Sequence, residues 1–147
     1  MCIYGQFWSV LRIRYLFTGV ELEPVTASQS STYAGDAHQF GAANCIDGEI
    51  RDVDHGPDGI RSICHTNDEA TPWIAIDYGT LVTVARVEIF NRPVAGSRTR
   101  NVDVRISDEL PTSGSQMFSG GTLLGHFAGP GTDGQHIVIS GQIQTVK

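Results

Sequence analysis

The sequence predicts an all-β fold, a sandwich of antiparallel strands, from three observations. Apolar and polar residues alternate with period two over 82–90 and again over 102–106, and the apolar positions are rich in Val and Ile. The chain contains seventeen glycines, several in Asp-Gly, Gly-Gly and Pro-Gly pairs, which predict many tight turns and few helices. Its 147 residues are 40% hydrophobic and 18% charged, which is typical of one folded domain with an apolar core.

Three strand patterns follow one another between Cys64 and Arg105. Their apolar positions are Trp73 to Ile76, then Ala85, Val87 and Ile89, and then Val102, Val104 and Ile106. His65 comes just before the first pattern, Arg92 just after the second, and Arg98 and Arg100 just before the third. Because loops at one end of a β-sandwich lie close together, we expect these cationic and imidazole side chains to meet there.

The flanking segments add further strands and loops. Residues 24–33 form a β-prone, hydroxyl-rich run, residues 42–48 predict a short helical turn ending in Asp-Gly, and 49–61 predict a long polar loop. Residues 107–121 are rich in turn formers and show no period, whereas 123–124, 136–139 and 142–147 predict strands.

The first eighteen residues differ in character from the rest. They are dense in aromatic and apolar side chains, but Arg12 and Arg14 interrupt the apolar run, so they fit neither a secretory signal nor a transmembrane helix. An irregular signal, an extra strand and a leader foreign to the domain all remain open. We predict the last of these, with 1–18 outside the core and 19–147 forming the domain.

Charge and cysteine content exclude some classes of function. The formal net charge of −6 argues against nucleic-acid binding and against binding to anionic membranes, and no membrane insertion is expected. The three cysteines, Cys2, Cys45 and Cys64, show no Cys-x-x-Cys spacing typical of metal sites. A Cys45–Cys64 disulfide and a pair of buried thiols are both compatible with the sequence.

A series of short motifs carries a resemblance to a known superfamily. It comprises Ala-Ser-Gln-Ser-Ser at 27–31, Ala-Asn-Cys-Ile-Asp-Gly at 43–48, Pro-Trp-Ile-Ala-Ile-Asp at 72–77, and Asn91-Arg92. Together they resemble the discoidin-like (galactose-binding-like) jelly rolls, and within these the F-type lectins, which bind fucose. Twenty-six residues separate His65 from Arg92, the spacing of that family's sugar motif. The resemblance extends from Glu21 to Lys147.

The resemblance implies a secreted, non-catalytic lectin whose partners are fucosylated glycans. It assigns sugar contacts to His65, Arg92 and Arg98, with His38 reaching the sugar from the first loop, while Arg100 is a weaker candidate. Val94 stands where the family has an Asp that holds the arginines. Val94-Ala95 also replaces a common pair of cysteines, and these two residues are expected to supply the apolar stacking surface.

The chemistry of these residue types suits a deoxyhexose. Arginine presents several donors in a rigid fork that matches adjacent sugar hydroxyls, and imidazole adds one more hydrogen bond. One such site supports a dissociation constant on the order of 0.01–1 mM. Useful avidity then requires several copies, in a homo-oligomer or a multidomain chain.

The resemblance also implies a structural calcium ion. Its ligands would be Asn44, Asp47, Glu49 (through the carbonyl) and Ser62, since hard cations take oxygen ligands from turns. The family's remaining ligands lie in a later strand, and the chain stops about two strands short of the family pattern. We therefore expect an incomplete calcium site and an unpaired sheet edge.

Catalytic interpretations are weaker. Cys64 and His65 are neighbours, and neighbouring strand residues point to opposite faces, so they do not form a thiol–imidazole pair. Asp52, Asp54 and Asp58 share one loop, whereas glycosidase carboxylates flank a bond from opposing sides. The chain is thus expected not to be an enzyme. The alternative function is a discoidin-like adhesion or protein-interaction module that has lost sugar binding.

Overall fold

The protein is a two-layer β-sandwich in the computed structural model, which describes residues 2–6, 10–17, 20–21, 23–49, 63–80, 82–109 and 121–146. The strands in these ranges are β1 (Cys2–Gln6), β2 (Val10–Phe17), β3 (Val20–Glu21), β4 (Thr26–Gln29), β5 (Trp73–Asp77), β6 (Val82–Asn91), β7 (Arg100–Ile106), β8 (Thr122–Phe127) and β9 (His136–Val146). The helical elements there are one short α-helix, α1 (Ala37–Phe40), and 3₁₀ turns at Tyr33–Gly35, Ala42–Cys45 and Gly96–Arg98. The all-β prediction is confirmed. No helix in the described ranges has the length and apolar character needed to cross a membrane.

The strands form two antiparallel sheets. One sheet has five strands in the order β4-β5-β1-β7-β8, and the other has four in the order β3-β2-β6-β9. Aliphatic side chains from both sheets meet between them and are almost wholly buried. They include Ile74, Ile76, Val87, Ile89, Val102, Val104, Ile106, Ile137 and Ile139. The alternation at 87–89 and 102–106 therefore reports the inner faces of the two sheets, whereas the continuous apolar run 73–76 is buried on both faces of its strand.

The β6 strand departs from simple alternation at its beginning. The register with β9 shifts between Val84, which pairs with Gln144, and Arg86, which pairs with Ser140, so two extra residues of β9 are accommodated there. As a result Val84 is fully buried in the core and Ala85 is only partly buried. The prediction that Ala85 belongs to the core face was wrong, because period-two counting carries no information on a bulge.

The N-terminal segment contributes strands to both sheets. β1 pairs on one side with β5 and on the other with β7, and β2 pairs with β6. Both strands thus occupy interior positions of their sheets.

The topology brings the predicted site loops to one end of the sandwich. β5 and β7 both run antiparallel to β1, so their first residues, Trp73 and Arg100, lie at the same end. β4 runs antiparallel to β5 and finishes at that end, where the Ser30 N–H donates to the Trp73 carbonyl at 3.0 Å. The turn 92–99 joins the end of β6 to the start of β7, so it lies there too.

Candidate functional site

His65 lies in an aromatic cluster at this end of the sandwich. Its ring stacks on Tyr33, with centroids 4.4 Å apart and planes at 17°, and meets the Phe40 ring edge-on at 5.6 Å. Tyr33 and Phe40 are themselves in edge contact at 5.2 Å. The His65 N–H donates to the Phe40 carbonyl at 3.1 Å, and its carbonyl accepts from the Tyr33 N–H at 2.8 Å. The imidazole is therefore held in one orientation by its neighbours on both sides.

Gln29, the last residue of β4, fastens this cluster to the sheet. Its Nε2 donates to the Phe40 carbonyl at 2.9 Å, to the His65 carbonyl at 3.5 Å, and to Thr32 Oγ1 at 3.1 Å. The two residues that follow, Ser30 and Ser31, both donate from their hydroxyls to Glu69 Oε1. The hydroxyl-rich run of the sequence thus connects the first loop, through hydrogen bonds, to the loop that follows His65.

A disulfide lies immediately beside His65. Cys45 and Cys64 are bonded, their Cα atoms are 5.5 Å apart, and both residues are fully buried. The bridge connects the 3₁₀ turn Ala42–Cys45 to the residue preceding His65. Of the two cysteine states compatible with the sequence, the structure has the disulfide. It fixes the backbone on the N-terminal side of His65, while Trp73 and Ser30 fix the chain that follows.

Arg92 begins the turn that leads from β6 to β7, and Asn91 organises this turn. The Asn91 amide Nδ2 donates to the Gly96 and Thr132 carbonyls, each at 2.9 Å. Its Oδ1 accepts from the Arg92 N–H at 3.1 Å and from Thr99 Oγ1 at 2.8 Å. Asn91 is buried with all these bonds in place. Its side chain therefore stabilises the conformation of the turn from the inside.

Arg98 ends the 3₁₀ turn Gly96–Arg98 in the same loop. The Arg98 N–H donates to the Ala95 carbonyl at 3.2 Å, and Ala95 adopts a left-handed backbone conformation with φ 60° and ψ 35°. A Cβ on Gly96 would lie 2.3 Å from the Thr132 carbonyl oxygen, so only glycine fits there. The tight turn fixes the backbone of Arg92 and of Arg98 within one short loop.

Two phenylalanines connect the His65 cluster to the arginine turn. Phe40, which contacts the His65 ring, forms a small apolar cluster with Ile63, and Phe90 packs against it. Phe90 lies two residues before Arg92 in β6. The structure therefore places the predicted residues His65, Arg92 and Arg98 at the same end of the sandwich, with the first two linked through this apolar contact.

The exposure of these residues divides the site into a recess and a rim. His65 and Arg92 expose 4% and 5% of their surface, whereas Arg98 is exposed. Two apolar side chains are also exposed here: Tyr33 at 44% and Val94 at 57%. The arrangement combines largely recessed nitrogen donors with exposed apolar surface, which suits a small ligand that carries hydroxyls on one side and carbon–hydrogen bonds on the other.

His38 lies in α1, the short helix that also contains Phe40. It is exposed, and its N–H donates to Asp36 Oδ1 at 3.1 Å. A hydrogen bond from the Gln39 side chain is the main cause that lowers the pKa of the Asp36 carboxyl, and the Gln39 N–H also contributes. Asp36 thus caps the helix as a carboxylate, and His38 projects from a helix whose start is well defined.

The predicted calcium ligands are only partly described. Asn44 Nδ2 donates to the carbonyls of His38 and Ile63, at 3.3 and 3.4 Å, and Asp47 Oδ1 accepts from the Glu49 N–H at 2.9 Å. Ser62 lies outside the described residues, as do the polar-loop carboxylates Asp52, Asp54 and Asp58. Within the part of the chain that the structure describes, no three His, Cys, Asp or Glu side chains cluster as metal ligands. Calcium binding stays a prediction.

Sequence reasoning missed four residues that shape the site. They are Gln29, Tyr33, Asn91 and Asp133, whose carboxylate accepts from the Gly96 N–H at 2.6 Å. Gln29 and Asn91 fall within motifs that were noticed, but only as matches to a pattern. Tyr33 and Asp133 are brought in by the tertiary fold from loops whose sequence gives no sign of their partners.

A family model describing NedA-like, galactose-binding domains matches residues 44–124, which is more than half of the chain. The matched region includes His65, Arg92 and Arg98, while Tyr33 and His38 precede it. No curated protein and no solved structure matches the chain. The family match confirms the discoidin-like, galactose-binding-like part of the fold prediction.

Proposed function

The chain belongs to the family of NedA-like, galactose-binding domains, and from this we propose that it is a carbohydrate-binding module that recognises terminal L-fucose without chemical turnover. His65, Arg92 and Arg98 supply the polar contacts. The observation that carries the proposal is the common position of these residues at one end of the sandwich. The loop of His65 leads into β5, the turn of the two arginines joins β6 to β7, and the two are connected through Phe40 and Phe90.

The polar part of the site suits adjacent hydroxyls. A guanidinium presents its donors in a fixed plane, and the turn built on Asn91 holds the backbone of both arginines. Each hydrogen bond from a charged donor contributes about 1.5–3 kcal/mol net. Recessed donors are partly shielded from water, which favours their bonds to a ligand over bonds to solvent.

The apolar part of the site suits the carbon–hydrogen face and the methyl group of fucose. Tyr33 exposes 44% of its surface and is stacked on His65, and Val94 exposes 57% of its surface at the arginine turn. The resemblance assigns this apolar contact to adjacent cysteines in the family, and here Val94 and Tyr33 offer it. A sugar bound between them would meet donors beneath it and apolar surface beside it.

The buried Cys45–Cys64 disulfide supports an extracellular location, because disulfides persist in oxidising compartments. A module with one such sugar site binds with a dissociation constant on the order of 0.01–1 mM. Fucosylated glycans presented in many copies, and several copies of the module, together give the avidity that one site lacks.

A second function, an adhesion or protein-interaction module without sugar binding, is favoured by one observation. Val94 is exposed at the position where the resemblance places an Asp, so the turn lacks its own carboxylate beside the arginines. Under this alternative the rim around Val94 and Tyr33 would contact a protein partner, and the arginines would only support the turn.

Retention on a fucose column separates the two functions. We expect the wild-type chain to be retained on immobilised L-fucose, to elute with free L-fucose, and not to elute with D-mannose. The Arg98→Ala variant should bind fucose about tenfold or more weakly, because it loses a charged donor at an exposed position. It should therefore elute from the column before the wild-type chain. A wild-type chain that passes through unretained supports the interaction module instead. Release of dye from a chromogenic fucoside would contradict the absence of turnover.

A further inference from the structure

A neighbouring loop holds the turn that carries both arginines. Five hydrogen bonds join residues 91–99 to residues 131–135 of the β8–β9 connection. They run from Asn91 N to Gln135 O, from Gly134 N to Arg92 O, from Gly131 N to Thr99 O, from Asn91 Nδ2 to Thr132 O, and from Gly96 N to Asp133 Oδ1. The geometry of the turn therefore depends on a segment about forty residues further along the chain.

The bond to Asp133 differs in kind from the other four. Its acceptor is a carboxylate, whereas the other four acceptors are neutral carbonyls, and its length of 2.6 Å is the shortest of the five. Hydrogen bonds to an ionised acceptor are shorter and roughly twice as strong as those between neutral groups. Asp133 thus supplies the one charged acceptor among these five hydrogen bonds between the loop and the turn.

The hydrogen bond to Asp133 lies next to the residue of the turn with the left-handed backbone conformation. Ala95 has a left-handed backbone, which residues with a Cβ rarely adopt, and such a conformation persists only where neighbouring contacts hold it. The next N–H, that of Gly96, is the one bonded to Asp133. Gly96 also has no room for a Cβ, because the Thr132 carbonyl lies in that place. The Ala95–Gly96 peptide is therefore fixed by the loop at 132–133.

We infer that Asp133 is a positioning residue for sugar binding, which fixes the Ala95–Gly96 peptide and thereby the placement of Arg98 relative to Arg92. This inference rests on the proposed function. Asp133 supplies from a separate loop a carboxylate that the turn itself lacks at Val94. It holds the backbone between the two arginines and is not itself assigned a contact with the sugar.

Two variants of Asp133 and one matched control test this role. Asp133→Ala removes the acceptor, and Asp133→Asn keeps a neutral oxygen in the same place. Asp77→Ala is the control, because Asp77 Oδ1 accepts from the Gly79 N–H at 2.8 Å in the same manner, at the far end of β5. For each variant, the dissociation constant for L-fucose, hydrogen exchange at the Gly96 amide, and the NMR signals of the Arg92 and Arg98 Nε–H groups are measured.

We expect Asp133→Ala to weaken fucose binding about tenfold or more, and Asp133→Asn to weaken it about threefold. Gly96 exchange should become faster in Asp133→Ala and be largely restored in Asp133→Asn, while Asp77→Ala leaves both properties unchanged. Circular dichroism and the thermal midpoint show whether each variant is folded; for an Asp133→Ala chain that does not fold, Asp133→Asn carries the test.

Two results would overturn the inference. In one, the removal of the carboxylate leaves the fucose dissociation constant unchanged. In the other, Gly96 exchange and both arginine signals are the same in Asp133→Ala and in the wild type. A wild-type chain that binds no fucose refutes the proposed function instead. In that case the Gly96 exchange and the arginine signals still decide whether Asp133 positions the turn.

Discussion

Replacement of Arg92 with alanine is expected to abolish retention on immobilised L-fucose. Each charged hydrogen bond that is lost costs about 1.5–3 kcal/mol, which corresponds to roughly tenfold to 150-fold in affinity. From a starting dissociation constant on the order of 0.01–1 mM, such a loss brings binding below what a column detects. The measurement is the elution volume on fucose resin, together with the dissociation constant from calorimetry or NMR.

Two further variants make the Arg92 result specific. Arg92→Lys keeps the positive charge but lacks the fork, and should retain only weak binding. Arg86→Ala is the matched control, because Arg86 is an exposed arginine of the same strand whose guanidinium pairs with Glu88 at 2.8 Å. It lies roughly 16 Å along β6 from the end of the strand and should bind as the wild type does. Equal retention of the Arg92→Ala and Arg86→Ala chains would show that Arg92 does not contribute to fucose binding.

Loss of the Cys45–Cys64 disulfide is expected to be the largest single change in stability. The bridge spans a sequence separation of 19 residues, and closing a loop of that length stabilises the folded state by about 3 kcal/mol in the chain-entropy model. For a domain of this size, that corresponds to a fall of about 6–12 °C in the thermal midpoint. Thermal unfolding followed by circular dichroism, with and without reductant, measures the change.

The disulfide experiment uses a Cys2→Ser background, so that only the bridge responds to the reductant. Mass spectrometry after alkylation confirms that Cys45 and Cys64 have been reduced. Fucose affinity should fall as well, because Cys64 fixes the backbone next to His65. A fully reduced chain with an unchanged midpoint would show that the bridge contributes nothing to stability.

The sequence was sufficient for the fold class and for most of the core. Alternating Val and Ile in β7 correctly marked Val102, Val104 and Ile106 as inward-facing, since the side-chain period of a strand is fixed at two. It was insufficient at Val84, where a bulge shifts the register, because a bulge depends on the partner strand.

The sequence indicated candidate site residues that the fold brings to one end of the sandwich, but it did not indicate the residues that hold them in place. The spacing of His65 and Arg92, together with the motifs around them, indicated which side chains to follow. Nothing local indicated that Tyr33 would stack on His65 or that Asp133 would bond to Gly96. These contacts join residues that are distant in sequence, so local sequence patterns carry no sign of them.

The most direct test of the central claim is an NMR titration of the wild-type chain with L-fucose, observed at the arginine Nε–H groups and the His65 ring. If one sugar lies between the two loops, the signals of Arg92, Arg98 and His65 will shift together and fit a single dissociation constant. Those of Arg86 and Arg105 will stay in place. Signals that do not move at millimolar fucose, or that fit different constants for the two arginines, would contradict the account.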